Sequence, residues 1–488
     1  MKAGNQITSG LIEGRFSQYL LPNILIDGQI FPLINITMGL IAYALALTLL
    51  YTRFFAFKTS FSGIVIVCAV GLLPYIIEIL YFQFIVLSQL VWPLTMVLAL
   101  LAAKQSLKNR PVIFTSLSTL TLFYTIGGYP ASINLYLTAS VLFLLQNISK
   151  KTTVKDLLRM AFPFIISILL SFISLYTLHK WLQTHHIMMP LYNNQPLSLS
   201  ALIFKIPFVY KAAFLSLLQP QPYLGLSLKI TMVIIISLFL ITDITAKHTL
   251  KTRLYHIILW LTLPLFLKFS AWLINENSDE YFANHDPISF MLRTDFYAIP
   301  VFIMYSLASL NQSPNQILKN LSFTLSFILL VINLNADFNY TKVQKLGFTS
   351  ETLLQQRINN RLMETAPFDF KNNYTVTQAG EIPLRRRYYP IQPLENYGYY
   401  TLQIPSTRHW IPNEFYAFSE PENFVLPEHA IRPEEITPQM IEFLSGELGV
   451  WPSQNALYID RNYIILSLTP QGKQMLTKQF KNLRSLKQ

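Results

Sequence analysis

The chain has 488 residues, of which 52% are hydrophobic, 14% are aromatic and only 13% are charged. About a quarter of the residues of an ordinary soluble domain are charged, so this composition excludes a wholly soluble protein. The net charge of +12 does not indicate a nucleic-acid-binding protein either, because the basic excess lies between apolar segments and not on a soluble face.

The charged residues are unevenly distributed along the chain. Residues 336–488 contain 16 basic and 15 acidic residues, whereas residues 1–335 contain 21 basic and 10 acidic residues. Ten apolar segments precede residue 336, and a helix of ~20 apolar residues crosses a membrane. The sequence therefore predicts an α-helical polytopic membrane protein with about ten transmembrane helices. These segments lie near 31–53, 61–77, 84–103, 111–127, 130–148, 160–180, 224–245, 254–274, 295–311 and 317–335.

The loops between these segments alternate in charge. One set contains 13 lysine and arginine residues against two acidic residues, Asp156 and Asp243, while the opposite set contains Glu78 and the acidic segment 276–286. Loops rich in lysine and arginine face the cytoplasm. We therefore predict a multi-pass protein of a bacterial inner membrane, with a transmembrane domain over 31–335 and a periplasmic C-terminal domain over 336–488.

Residues 1–30 form an outer loop in this topology. Neither a span nor a signal peptide precedes them in the sequence, since no continuous apolar region follows Lys2. We therefore expect a further helix upstream of Met1.

Three segments interrupt the regular pattern of spans. Pro74, four residues before Glu78, predicts a broken or re-entrant stretch, and Gly-Gly-Tyr-Pro at 127–130 predicts a tight turn. The segment 181–223 is apolar but contains five prolines and two lysines. We interpret it as an amphipathic helix that lies in the outer membrane interface.

The C-terminal segment has the pattern of a soluble α/β domain. Residues 349–365 have helical periodicity, and Thr437 and Thr469 each precede Pro-Gln as helix N-caps. Residues 455–469 predict two short strands around a turn at 460–462.

No phosphate-binding loop, dinucleotide fingerprint, zinc-protease motif or nucleophile elbow is present, so soluble-enzyme chemistry is not indicated. We predict no cofactor and no metal site, because the adjacent histidines at 185 and 186 lack ligand spacing. The candidate functional residues are ionisable groups at the outer membrane side. They are Glu13, Arg15, Glu78, Lys229, Lys268 and Arg293.

Each candidate residue also has an interpretation in which it has no functional role. Glu13, Arg15 and Arg293 fit solvated loops, and Glu78 fits an interfacial carboxylate. Lys229 and Lys268 lie a turn or two inside the outer helix ends, where a lysine can extend to the lipid headgroups. A charged group inside a membrane segment is nevertheless costly unless it is paired or functional.

Four segments together resemble a family. EGRFSQYLLPNILIDGQIFPLIN, LLPYIIEILYFQF, LFYTIGGYPASINLYL and ADFNYTKVQKLGFTSETLLQQRINNRLME, in this order relative to the spans, are similar to the serotype-converting O-antigen glucosyltransferases of the Gtr II type. The shared features are Gly14-Arg15-Phe16, the stretch from Pro74 to Glu78, and the helix with Arg357 and Arg361. The resemblance covers about residues 10–365. The family's leading helix and the Asp-Asp motif of its first outer loop are absent from this sequence.

The resemblance implies a GT-C-like membrane glycosyltransferase. Such an enzyme transfers a sugar, here expected to be glucose, from a polyprenyl-phosphate donor to an O-antigen or related surface glycan on the periplasmic face. Its partners are then the lipid-linked donor, the glycan acceptor and membrane lipids, with no nucleic acid.

This reaction requires a carboxylate base and cations that stabilise the lipid phosphate. Glu13 or Glu78 is the expected base, and Arg15, Lys229, Lys268 and Arg293 are the expected substrate-binding residues. We also expect Glu78 to lie close to Arg15 in an outer-facing cavity.

Two alternatives remain open. The first is a transporter or flippase of a lipid-linked glycan, for which two related halves would be expected. The second is a truncated, inactive remnant whose missing start removed the base.

Overall fold

The computed structural model describes only part of the chain, and all statements about structure refer to that part. The described residues are 32–76, 86–149, 151–185, 203, 205–207, 209–211, 213–214, 225–245, 249–270, 287–364, 375–379, 436–445, 456–459, 463–467, 473–474, 477–478 and 481. The chain divides into two compact units, 1–337 and 338–488.

The first unit is helical, and a helix lies at each of the ten predicted segments. The helices are α1 Pro32–Leu49, α2 Phe61–Gly71, α3 Val86–Ser106, α4 Pro111–Ile126, α5 Ile133–Asn147, α6 Val154–Thr184, α7 Leu226–Thr245, α8 Leu250–Leu267, α9 Pro287–Asn311 and α10 Gln316–Glu364. Six helices in the described part of the chain are long and apolar enough to cross a membrane, namely α1, α3, α6, α7, α8 and the segment Gln316–Asn339 of α10. The helices α2 and α4 are shorter and apolar.

Side-chain and proline caps explain where several of these helices begin. Thr153 and Asp156 form a reciprocal capping box at the start of α6, with 3.2 Å from the Asp156 backbone N to Thr153 Oγ1 and 2.9 Å from the Thr153 backbone N to Asp156 Oδ2. Ser60 and Thr249 cap α2 and α8 in the simpler way, each accepting from a backbone N–H three residues later. Pro111 opens α4.

The first unit is built around α5 and α9. Every residue of α5 from Ile133 to Leu145 is buried, and so are residues 295–308 of α9. The surrounding helices instead expose large apolar side chains, such as Phe162, Ile165 and Ile173 on α6. Many exposed large apolar side chains are typical of a protein that contacts lipid.

A lysine side chain caps the C-terminal end of α1. The last turn of this helix widens into a π-helix at Leu50–Phe54, which leaves carbonyl groups without intrahelical donors. Lys104 on α3 donates through Nζ to the carbonyl oxygens of Arg53 at 2.9 Å and Phe54 at 2.6 Å. Its ammonium also lies 5.5 Å from the centroid of the Phe143 ring, so α1, α3 and α5 are joined at this end.

The interruptions predicted from sequence are present where the structure describes them. The helix α2 ends at Gly71, shortly before Pro74, and α4 and α5 are separated by a turn at 127–129 followed by a 3₁₀ turn at Pro130–Ser132. Within 181–223, the described residues from 203 to 214 are helical, with Val209 and Ala213 buried one turn apart. Most of that segment lies outside the described residues.

The second unit contains a small sheet with three strands, β1 Thr375–Ala379, β2 Leu457–Ile459 and β3 Tyr463–Ser467, in the order β1-β3-β2. The strand β1 is parallel to β3 and β2 is antiparallel to β3, which confirms the two strands predicted around 460–462. The helix α11, Pro438–Ser445, begins after its predicted cap Thr437, whose Oγ1 accepts from the Met440 backbone N at 3.2 Å. This sheet is too small to establish the predicted soluble α/β domain.

Candidate functional site

Three charged side chains meet inside the first unit. Lys229 lies in the first turn of α7, Lys268 directly follows α8, and Asp295 lies in α9. Their exposed fractions are 2%, 1% and 0%. The start of α7, the end of α8 and the first part of α9 thus lie at the same level, which is the side assigned to the outer loops by the sequence.

The central contact is a buried ion pair. Lys268 Nζ donates to Asp295 Oδ1. Lys229 lies close enough to interact electrostatically with both of these groups. Both lysines therefore lie near the same carboxylate. Buried lysines of this kind can bind an anionic group, because charge-assisted hydrogen bonds from an ammonium to a phosphate or carboxylate are strong.

The second carboxylate oxygen of Asp295 has a different environment. Among the described residues, Oδ2 has no hydrogen-bond partner, and neither has the buried hydroxyl of Tyr75. Tyr75 lies close enough to Asp295 for the two groups to interact electrostatically. Buried polar atoms without partners are uncommon in native proteins and mark positions where a ligand or ordered water can bind.

A helix end positions Lys268. The residue has φ −120° and ψ 24°, so α8 stops there inside the protein and leaves carbonyl groups exposed to an apolar interior. Asn134, on α5, donates through Nδ2 to the carbonyl oxygen of Leu267 and to Ser270 Oγ, both at 3.1 Å, and its Oδ1 accepts from the Ser270 backbone N at 3.0 Å. One buried side chain therefore fixes the backbone on both sides of Lys268.

The end of α2 is also capped by a buried asparagine side chain. Pro74 has no N–H, so the Val70 carbonyl accepts from the Leu73 backbone N instead, at 3.2 Å. The neighbouring carbonyl of Ala69 accepts from Asn333 Nδ2 on α10 at 2.6 Å. This cap allows the chain to leave the helix just before Tyr75. Non-helical backbone at membrane depth is tolerated where it is enclosed by protein.

An aromatic group packs beside α9. Tyr297 follows Asp295 by two residues, and its hydroxyl donates to the backbone carbonyl oxygen of Gln89 at 3.5 Å. Its ring packs against Tyr129, which in turn stacks on Trp92 with 5.8 Å between centroids. Within the described part of the chain, the buried atoms Trp92 Nε1 and Gln89 Oε1 lack hydrogen-bond partners. Aromatic faces with spare polar atoms suit a polyhydroxylated ligand.

The helices α7 and α8 carry a second polar cluster, at the ends opposite to Lys229 and Lys268. Asp243 Oδ2, in the last turn of α7, accepts from His256 Nδ1 at 2.8 Å and from Trp260 Nε1 at 2.9 Å, both on α8. Asp243 also interacts electrostatically with Tyr305 on α9. This cluster lies at the side that the basic loops assign to the cytoplasm, far from the ion pair of Lys268 and Asp295.

The structure brings together two of the six predicted site residues. Lys229 and Lys268 point into the protein and meet at Asp295, so the alternative in which they extend to the headgroups is wrong. Arg293 lies on α9, but its side chain lies outside the described residues. Glu13, Arg15 and Glu78 also lie outside them, so the expected contact between Glu78 and Arg15 stays a prediction.

Sequence reasoning missed Asp295, Asn134 and Tyr75. A usable signal existed for Asp295, because it is an aspartate at the start of the apolar segment 295–311, where a carboxylate is costly unless it is paired or functional. Asn134 lies within the segment LFYTIGGYPASINLYL of the family resemblance, yet its cap on α8 joins residues 133 positions apart. Nothing in the local pattern identifies such a partner.

Comparison of the chain with protein-family models, with curated proteins and with solved structures finds no match. In the part of the chain that the structure describes, no group of three or more histidine, cysteine, aspartate and glutamate side chains is arranged to hold a metal ion.

Proposed function

We propose that this protein is a membrane glycosyltransferase. It transfers a sugar from a polyprenyl-phosphate donor to an O-antigen or a related surface glycan. The resemblance to O-antigen glucosyltransferases indicates that this sugar is glucose. The observation that supports this proposal best is the buried cluster of Lys229, Lys268 and Asp295. Charge-assisted contacts from such cations suit a lipid phosphate.

The proposed topology has ten membrane passes in a bacterial inner membrane, with residues 336–488 as a periplasmic α/β domain. The basic loops support this orientation. The polar cluster then lies toward the periplasmic side, where surface glycans are completed. The donor's polyprenyl chain would remain in the membrane while its phosphate reaches the ends of α7 and α8.

The cations act on the leaving group. As the bond between the sugar and the phosphate breaks, negative charge develops on the phosphate oxygen, and preorganised positive groups stabilise it. Lys229 suits this role because it is a buried cation that lies near both Lys268 and Asp295. The base that deprotonates the acceptor, expected from the resemblance to be Glu13 or Glu78, contributes about 10²–10⁴-fold to such a reaction.

A donor-binding assay tests the proposal. The purified full chain is incubated with polyprenyl-phosphate [¹⁴C]glucose in detergent, and transfer is followed into membranes of an O-antigen-bearing strain. We expect Lys229→Gln to weaken donor binding by at least tenfold while the protein still inserts into the membrane. Lys108→Gln is the matched control, since this exposed lysine lies in the loop between α3 and α4 and should bind the donor as the unmodified chain does.

Two results would contradict the proposal. One is a chain that neither binds the labelled donor nor transfers its sugar. The other is equal donor binding by the Lys229→Gln and Lys108→Gln variants, which would return the buried lysine to a purely structural role.

A second candidate function is transport of a lipid-linked glycan. The observation that favours it is the pair of ionisable clusters at opposite ends of α7 and α8, because buried charges along one path are typical of ion-coupled transporters. The labelled donor separates the two functions. A transporter moves the intact lipid-linked sugar across vesicles, whereas a glycosyltransferase cleaves the bond between sugar and phosphate.

A further inference from the structure

We infer that Asp295 is the catalytic base of the sugar transfer, an inference that rests on the proposed function and identifies a residue of the same site. Its Oδ2 would accept the proton of the acceptor hydroxyl. The family resemblance points to Glu13 and Glu78 instead, so this inference comes from the geometry of the described residues alone.

The two oxygens of this carboxylate have separate environments. Oδ1 accepts from Lys268 Nζ, which fixes the plane of the carboxylate, and Oδ2 has no hydrogen-bond partner among the described residues. A general base needs this combination, in which one oxygen holds the orientation and the other accepts a proton. Asp243 contrasts with it, because its Oδ2 already accepts two hydrogen bonds from α8.

The supporting residues hold this geometry without contacting the reacting atoms. Asn134 fixes the backbone of Leu267 and Ser270, and therefore the position of Lys268 between them. Asp295 itself lies on α9, a helix that is buried on all sides at this level. A base held by helices and by a capped helix end is more precisely placed than a base on a loop.

The reaction step balances within this cluster. The acceptor oxygen forms a bond to the anomeric carbon of the sugar, and the bond from that carbon to the donor's phosphate oxygen breaks, with its electron pair leaving on the phosphate. The hydroxyl proton passes to Asp295 Oδ2. Lys229 faces the new negative charge, and the protonated carboxyl later releases its proton to water.

Asp295→Asn is the informative substitution. The amide keeps the side-chain shape and still offers an oxygen to Lys268, but it is not a base. We expect donor binding within about threefold of the unmodified chain and transfer reduced by about 10²–10⁴-fold. Lys108→Gln is the control and should transfer as the unmodified chain does. Glu13→Gln and Glu78→Gln are made in parallel to test the two carboxylates that the family resemblance indicates.

A merely structural role is separated by comparing donor binding with transfer and by a pH profile. If Asp295 only neutralises Lys268, the Asp295→Asn variant should lose donor binding and transfer together, whereas loss of a base lowers transfer and leaves donor binding in place. The slow residual transfer of Asp295→Asn should also lose the decline at acid pH that protonation of the base causes in the unmodified chain.

The results distinguish a wrong assignment of Asp295 from a protein that is not a glycosyltransferase. Transfer by Asp295→Asn at a normal rate, in a chain that binds the donor, overturns the assignment of Asp295 and leaves the glycosyltransferase standing. A loss of 10²-fold or more in Glu13→Gln or Glu78→Gln with Asp295→Asn active moves the base to that residue. An unmodified chain that binds no donor overturns both the assignment of Asp295 and the proposed function.

Discussion

Asn134 and Ser270 hydrogen-bond to each other twice, once in each direction. Asn134 Nδ2 donates to Ser270 Oγ at 3.1 Å, and the Ser270 backbone N donates to Asn134 Oδ1 at 3.0 Å. The pair joins the start of α5 to the chain that follows α8. It therefore links the buried centre of the first unit to the backbone that carries Lys268.

Replacing Asn134 by alanine should destabilise the protein by about 1–3 kcal/mol, because the Leu267 carbonyl is left buried without its donor. The measurement is unfolding of the detergent-solubilised chain by increasing SDS. Asn147→Ala is the control, since this exposed asparagine donates only to Phe143 within its own helix. An Asn134→Ala protein as stable as the control would show that the cap contributes nothing.

Gly39 allows α1 to approach α3 closely. A Cβ at this position would lie 2.8 Å from Leu90 Cδ1 and 2.9 Å from Leu90 Cβ, so Gly39→Ala requires the two helices to move apart. We expect a loss of about 1–3 kcal/mol in the free energy of unfolding. Gly225→Ala, where the nearest such atom is Ser227 Oγ at 3.9 Å, should change it by less than about 0.5 kcal/mol. Equal stability of the two variants would contradict this packing.

Trp260 and His256 both depend on one oxygen of Asp243. Trp260→Phe keeps the ring but removes its hydrogen bond to the carboxylate, and should cost about 1.5–3 kcal/mol. The same substitution in an Asp243→Asn background should cost less, because groups that share a partner are not additive. Thermal unfolding of the two single variants and the double variant measures this coupling. Strictly additive losses would mean that the contact is not energetically significant.

Residues 336–488 should be on the periplasmic side. Alkaline phosphatase fused after Gln488 is expected to be active, because the enzyme folds only outside the cytoplasm, and phosphatase fused after Arg110 is expected to be inactive. The reverse pattern of activity would invert the topology. It would also place the cluster of Lys229 and Asp295 at the cytoplasmic side.

Hydropathy alone predicted a helix at each of the ten apolar segments, because the length and apolar character of a span are properties of its own segment. It did not predict that α10 continues without a break from the segment 317–335 through the helix predicted at 349–365. The direction in which a lysine turns is not such a property. Lys229 and Lys268 could have reached the headgroups, but both turn inward toward Asp295, which lies on another helix. The short, broken end of α2 was predicted from Pro74, whereas its cap by Asn333 was not.

The same distinction explains the two asparagine caps. An asparagine in an apolar segment signals a buried partner but does not say which one. Asn134 and Asn333 find theirs in helices that are remote along the chain. Predicting such contacts requires the packing of the helices, which periodicity within a single segment does not contain.

The burial of α5 has a consequence for biogenesis. With 15 residues it is ~22 Å long, shorter than the ~30 Å hydrocarbon core, and it presents Asn134 and Thr138 where a newly inserted helix would meet lipid. Its packing partners α8 and α9 are synthesised more than a hundred residues later. We therefore expect α5 to be held by the insertion machinery until those helices arrive. Chains cut short before α9 should be recognised by membrane quality-control proteases and degraded.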